Sequence, residues 1–239
     1  MKIDYSISVR GKAENDSIIG FLNTYFKSKA TSVFGFSKHC KLYGGRPYFL
    51  PELSEDDFEI MEASGIGYRI PLQNTLATEK DFYDSFNFLE RHHRQGNSVI
   101  LARDRFVPLF REHFPLYEIE ASVIKNIHSV ENIIKSLDKY DTVVPDPYWF
   151  ENKNPTIPLE YRPRLRLFAN AGCMYTCPER ICYTAVSKMN LGVGKFRCSA
   201  TEGVKRDHKG SMYDLNVERY INDGYTKFKL LRSNGTTGY

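Results

Sequence analysis

Short apolar strands alternate with amphipathic helices about eight times along 239 residues, which predicts an α/β fold, a (β/α)8 TIM-like barrel. Two further observations support it. The chain is 41% apolar, enough for one large core and short for two, so residues 1–239 are expected to form a single barrel domain. Polar residues fall just past the expected strand ends, where barrels place their chemistry. A doubly wound open sheet fits the same alternation, but no glycine-rich dinucleotide fingerprint follows the first strand. The barrel is expected to be irregular near its last strands.

Tyr5 to Val9 reads as the first strand, and Ile18, Ile19, Leu22 and Phe26 follow at helical spacing. Ser32 to Phe36 is the second strand, leading into a loop with Cys40 and Gly44-Gly-Arg-Pro47. Ser54-Glu-Asp-Asp57 starts a helix through a capping box, with Phe58 and Met61 on its apolar face. Tyr68 to Leu72 is strand three. Thr78 and Asp81 cap a helix carrying Phe82, Phe86 and Leu89, which Gly96 ends. His92 and His93 fall on its polar, solvated side.

Ser98 to Ala102 is strand four, before a helix marked by Phe106, Leu109 and Phe110. Tyr117 to Val123 is strand five, and Val130, Ile133, Ile134 and Leu137 form a helical stripe. Thr142 to Val144 is strand six. Asp146 to Pro163 reads as irregular, and Leu165 to Phe168 as strand seven. A helix holding Leu215, Tyr220 and Ile221 stops at Gly224, before a final strand from Lys227 to Leu231. The tail from Asn234 to Tyr239 carries no element signal.

Composition narrows the function classes. The net charge of +4 is a mild basic excess that permits an anionic substrate or RNA. No apolar run approaches the roughly 20 residues of a membrane span. Met1-Lys-Ile-Asp-Tyr5 has no signal-peptide core, so a cytoplasmic location with reduced thiols is expected. Five cysteines, an odd number and four of them clustered, then read as metal ligands rather than disulfides.

The clustered cysteines lie in Asn170-Ala-Gly-Cys-Met-Tyr-Thr-Cys-Pro-Glu-Arg-Ile-Cys-Tyr183, which holds Cys173, Cys177 and Cys182. Cys198 follows, and Cys40 lies past the second strand. An iron–sulfur cluster takes four thiolates, and so does a structural zinc. Cys173, Cys177 and Cys198 come first, with Cys182 or Cys40 as the fourth. The absence of Cys-x-x-Cys spacing favours iron over zinc. His39, beside Cys40, is a fallback ligand. No Gly-x-Ser-x-Gly or His-Glu-x-x-His motif is present, and Ser122 has no evident histidine partner, which argues against an ordinary serine or zinc peptidase.

The segment Asn170-x-Gly-Cys173-x-x-x-Cys177-Pro-x-Arg180 resembles the cysteine motif of the collagenase-like peptidase family. Gly44-Gly-Arg-Pro47 is similar to that family's glycine–arginine loop, Glu120-Ala-Ser-Val-Ile124 to its fifth strand and Tyr140-Asp-Thr-Val-Val144 to its sixth. Tyr220 to Arg232, with Gly224, Phe228-Lys229 and Arg232, resembles its closing segment. The resemblance implies a barrel bearing a 4Fe–4S cluster. Some members hydroxylate ubiquinone precursors or RNA bases without oxygen and are linked to prephenate as oxygen source; others are called peptidases. It also implies a short, barrel-only member that can work with a partner subunit. Two departures stand out. Asn170-Ala-Gly172 replaces the histidine–glycine pair of larger members, and Cys182 and Tyr183 stand where shorter members often carry a histidine.

Arg46, Arg180 and Arg232 suit bidentate binding of a carboxylate donor such as prephenate, with structural ion pairing as the plain alternative. Asp146 is a candidate general base and Trp149 a stacking platform for a flat ring, against the plainer readings of a turn acid and a packed aromatic. The expected function is oxygen-independent hydroxylation of an RNA base or small aromatic acceptor, with Arg46, Asp146 and Arg232 at the chemistry and Arg46 and Arg180 binding the co-substrate. A peptidase and a non-catalytic, zinc-stabilised RNA-binding module are the alternatives.

Overall fold

A computed structural model describes residues 2–13, 15–25, 30–177, 179–199 and 212–231. Arg232, Phe26 and the segment 234–239 lie outside these residues. In chain order the elements are β1 (Asp4–Ser8), α1 (Ile18–Tyr25), β2 (Ser32–Phe34), α2 (Glu55–Ala63), β3 (Gly67–Ile70), α3 (Glu79–Asp84) and α4 (Phe86–Arg91). Then come β4 (Ser98–Leu101), α5 (Phe106–His113), β5 (Glu118–Ala121), α6 (Val130–Leu137), β6 (Thr142–Val143) and α7 (Pro147–Lys153). The last part holds β7 (Arg166–Phe168), β8 (Asn170–Ala171), α8 (Cys182–Asn190), β9 (Tyr213–Asp214), α9 (Val217–Asn222) and β10 (Lys227–Leu230).

Eight strands pair in parallel in the order β6-β5-β4-β3-β2-β1-β10-β7, and β10 is the eighth barrel strand. A single parallel bridge between Val143 and Leu165 joins β6 to the start of β7. The sheet is thus a nearly closed (β/α)8 barrel with one thinly sealed seam. The short antiparallel ribbon β8–β9 stands outside the barrel in the connection from β7 to β10. No helix among the described residues is long and apolar enough to cross a membrane.

Local chemistry sets the element boundaries. Ser54 and Thr78 cap α2 and α3 through capping boxes with Asp57 and Asp81. The Asp57 carboxylate also accepts from the Ile18 amide at 3.1 Å and pairs with the buried Lys12 at 2.8 Å, tying α1 to α2. Several expectations need correction. The helix over Phe82–Leu89 breaks at Ser85, whose hydroxyl donates to the Asp81 carbonyl at 2.7 Å. The stretch after Asp146 begins as a helix, since Asp146 is an N-cap and Pro147 occupies the first turn, where its missing N–H costs nothing. Strand three stops at Ile70, before Pro71. Leu215 precedes α9, which Asn216 caps. His92 is buried among Phe58, Tyr68 and Phe88, and burial pushes its imidazole down to about 4.

The barrel interior is ionic where branched aliphatics usually pack. Ser6, Arg69, Glu120 and Arg166 come from β1, β3, β5 and β7, the four odd strands, and meet across the axis as one layer. Arg69 donates to Ser6 Oγ at 2.5 Å and pairs with Glu120. Arg166 Nε donates to the same Glu120 oxygen at 2.9 Å, and its Nη2 reaches Asp4 at 2.7 Å. Burial opposes charge on Asp4, but Arg166 and Thr31 overcome it and hold the carboxyl down to about 2. The apolar core lies outside the sheet, where Ile7, Val33, Tyr68, Val99, Ile119 and Phe228 pack under the helices.

Replacing Glu120 by alanine strands the buried Arg69 guanidinium and leaves Arg166 with Asp4 alone. The expected loss is about 3–5 kcal/mol, read as a lower urea midpoint with an unchanged slope. A shift under 1 kcal/mol (roughly the value of an exposed pair) would contradict this layer.

Candidate functional site

A cavity of about 680 Å³ opens at the C-terminal ends of the strands. Ser8, Phe34, Phe168 and Lys229 form its floor from β1, β2, β7 and β10. Its walls come from the loops after those strands, including Phe36, Gly44-Gly45-Arg46 and the cysteine segment.

Cys173, Cys177, Cys182 and Cys198 all line this cavity. Cys182 opens α8, and its thiol is pushed up to about 11 by burial and by the sulfurs of Cys173, Cys198 and Cys177. The Cys177 thiol is buried and contacts Ser199 Oγ at 3.3 Å. Four soft donors lining one cavity, three of which disfavour charge on Cys182, are a donor set that a cationic iron–sulfur or zinc group satisfies. Among the described residues, no three His, Cys, Asp or Glu side chains are drawn into a metal-holding group. The fit is therefore one of donor chemistry and shared location.

Cys40 does not join them. It is buried in the core, donates to Ser85 Oγ at 3.4 Å, and has its thiol pushed up to about 11 by burial. His39 packs against Tyr48, ring centres 5.0 Å apart.

The Gly-Gly-Arg-Pro loop holds the cysteine helix in place. A Cβ on Gly44 would overlap the Gln73 backbone, and Gly45 is left-handed at φ 80°, so both positions demand glycine. Asn190, closing α8, donates to the carbonyls of Tyr43 at 3.0 Å and Arg46 at 3.2 Å and accepts from the Tyr48 amide at 2.9 Å. Ser187, one turn earlier, accepts from the Thr75 amide at 3.0 Å, and its carbonyl accepts from Asn74 at 3.1 Å.

The two described candidate arginines line the cavity but are engaged by carboxylates. Arg46 pairs with Glu52 and lies 4.0 Å over the Phe36 ring. Arg180, itself left-handed at φ 47°, pairs with Asp146 at 2.6 Å and donates to Asn126 at 2.7 Å. The other oxygen of Asp146 caps α7 by accepting from the Trp149 amide at 2.8 Å. Trp149 packs against the core. Ser122 accepts from Gln73 at 2.5 Å and from the Ile124 amide at 3.1 Å.

Lys229, part of the closing segment that carries the resemblance, was not among the site residues expected from the sequence. It is 5% exposed, lies 4.3 Å under the Phe34 ring and 5.8 Å from that of Phe168, and faces the cavity. Burial pushes its amine down to about 7, with Arg69 and Arg166 adding to the effect and Glu120 opposing it. The available signal was charge at every second strand position: Glu118 and Glu120, Lys227 and Lys229.

No family model and no curated protein matches the sequence. The solved structure of the U32 peptidase Mk0906 is similar over 98% of this chain and 94% of that one, with TM-score 0.59 and 13% identity. At that identity the likeness establishes the barrel fold and nothing finer.

Asp146→Ala removes a helix cap and the partner of Arg180, and a thermal or urea denaturation should show a loss of about 0.5–2 kcal/mol from the cap alone. Asp146→Asn keeps a capping oxygen and should recover most of the cap's share. Equal losses in both variants would contradict the capping role.

Proposed function

We propose that this chain is an iron–sulfur barrel enzyme that hydroxylates a single aromatic ring, free or as an RNA base, without oxygen. The observation that carries the reading is the gathering of Cys173, Cys177, Cys182 and Cys198 on one wall of the cavity at the barrel mouth. These four cysteines would hold a 4Fe–4S cluster, with Cys40 left as a core residue. Bound there, the cluster would supply electron transfer and an iron site for an oxygen-donor molecule such as prephenate.

The chain's own residues would do the rest. Phe34, Phe36 and Phe168 offer flat apolar surface against which a ring packs and which keeps water out. Glu52 and Asp146 hold Arg46 and Arg180 at the cavity rim, fixed in place to receive an anionic group. Stapling α8 to the glycine loop keeps the cysteine wall and the Arg46 loop in register. A peptidase reading gains no support from Ser122, whose hydroxyl oxygen accepts from Gln73 and from the Ile124 amide.

Protein purified without air should contain about four iron and about four sulfide per chain. Cys173→Ala should lose the iron, and Cys40→Ala should keep it. One zinc with no iron, or full iron in Cys173→Ala, would overturn the assignment.

A further inference from the structure

Four cationic side chains are buried among the described residues: Lys12, Arg69, Arg166 and Lys229. Three have carboxylate partners: Lys12 has Asp57, Arg69 has Glu120, and Arg166 has Glu120 and Asp4. Lys229 has no carboxylate within ion-pair distance among the described residues, and its ammonium rests against the faces of Phe34 and Phe168. Inside the barrel, Arg69, Arg166 and Lys229 therefore face two carboxylates, Asp4 and Glu120. Lys227 and Glu118 balance each other at 2.6 Å. One positive charge is left over, and it sits on the cavity floor.

A buried charge without a partner is costly, and aromatic faces compensate only in part. A ligand that brings one negative charge to this floor completes the balance, and its apolar body then lies against Phe34, Phe36 and Phe168. From this geometry we propose that Lys229 is an anion anchor, binding the carboxylate of a small, flat, apolar acid with a single negative charge at its buried end. The assignment is separate from the cysteines: Lys229 is on a barrel strand, and the charged groups that act on it are Arg69 of β3, Glu120 of β5 and Arg166 of β7. It holds whether or not a cluster is present.

The inference has a proton signature. With its amine pushed down to about 7, Lys229 is partly neutral in the free protein at pH 7.5. A bound carboxylate favours the charged form, so binding takes up a proton above that value. Affinity is therefore full below pH 7 and falls as pH rises.

The probe is benzoate, with neutral benzamide as control, titrated calorimetrically into the full chain in buffers of different ionisation enthalpy. The expected results are saturable benzoate binding, weaker by about tenfold or more at pH 9 than at pH 6. Proton uptake should amount to at least about half a proton at pH 7.5, and benzamide should bind at least tenfold more weakly. Lys229→Met, which keeps volume and removes the charge, should lose both the binding and the proton uptake. Should that variant fail to fold, the wild type still decides the matter: benzoate should protect Lys229 from trinitrobenzenesulfonate, read by peptide mass spectrometry. No saturable benzoate binding up to 20 mM (on the order of ten times a weak millimolar Kd), binding by Lys229→Met within twofold of wild type, or no protection of Lys229 overturns the proposal.

Discussion

The two arginines that share one Glu120 carboxylate inside the barrel set the terms for everything above them. A layer of four side chains from alternate strands normally packs as hydrocarbon. Here Ser6, Arg69, Glu120 and Arg166 pack as ions, and desolvation of each must be offset by its neighbours. That requirement fixes the orientation of β3, β5 and β7, because a partner withdrawn leaves a charge in a dry interior. It also makes the cavity floor electrostatically positive, since Arg69 and Arg166 act on Lys229 and the Glu120 carboxylate between them is paired with the arginines rather than with the lysine.

Above this floor the site is made by one long connection, from β7 to β10, docked on the loop after β2. The docking is polar and specific. Asn190 satisfies two carbonyls and one amide of the 43–48 segment, and Ser187 and Asn74 extend the contact to the loop after β3. The cysteine wall thus owes its place to side chains that have no metal-ligating chemistry. The same logic applies to the rim, where Glu52 and Asp146 hold arginines in fixed positions. Glu52 is itself fixed by the Phe36 amide at 2.9 Å, and Asp146 by its helix cap.

Much of the fold was legible in the sequence because strand and helix periods differ and barrels repeat them. All eight barrel strands fall where alternation placed them, with ends that differ by one or two residues, as at Phe36, Leu72 and Val123. What the pattern could not give was partnership. Cys40 lies just past a strand end, as a mouth residue would, yet its loop turns the thiol into the core against Ser85. Asp146 carries a carboxylate suited to acid–base work, yet Pro147 beside it makes it a helix cap. Lys229 stands in the closing segment that carries the resemblance, but nothing there marks it for a site, because period-two charge inside a strand normally signals a solvated face. Only barrel closure turns that face inward.

Among the described residues no carboxylate pairs with Lys229 at the floor of the cavity, and a side-chain NMR titration of this lysine shows whether its charge is uncompensated. The full chain, with labelled lysine and Lys229→Arg for assignment, would be followed from pH 5 to 11. The expected Lys229 midpoint is about 7 in the free protein. An ordinary lysine midpoint of about 10.4 would mean that a partner or solvent already stabilises the charge, and would contradict an uncompensated cation there.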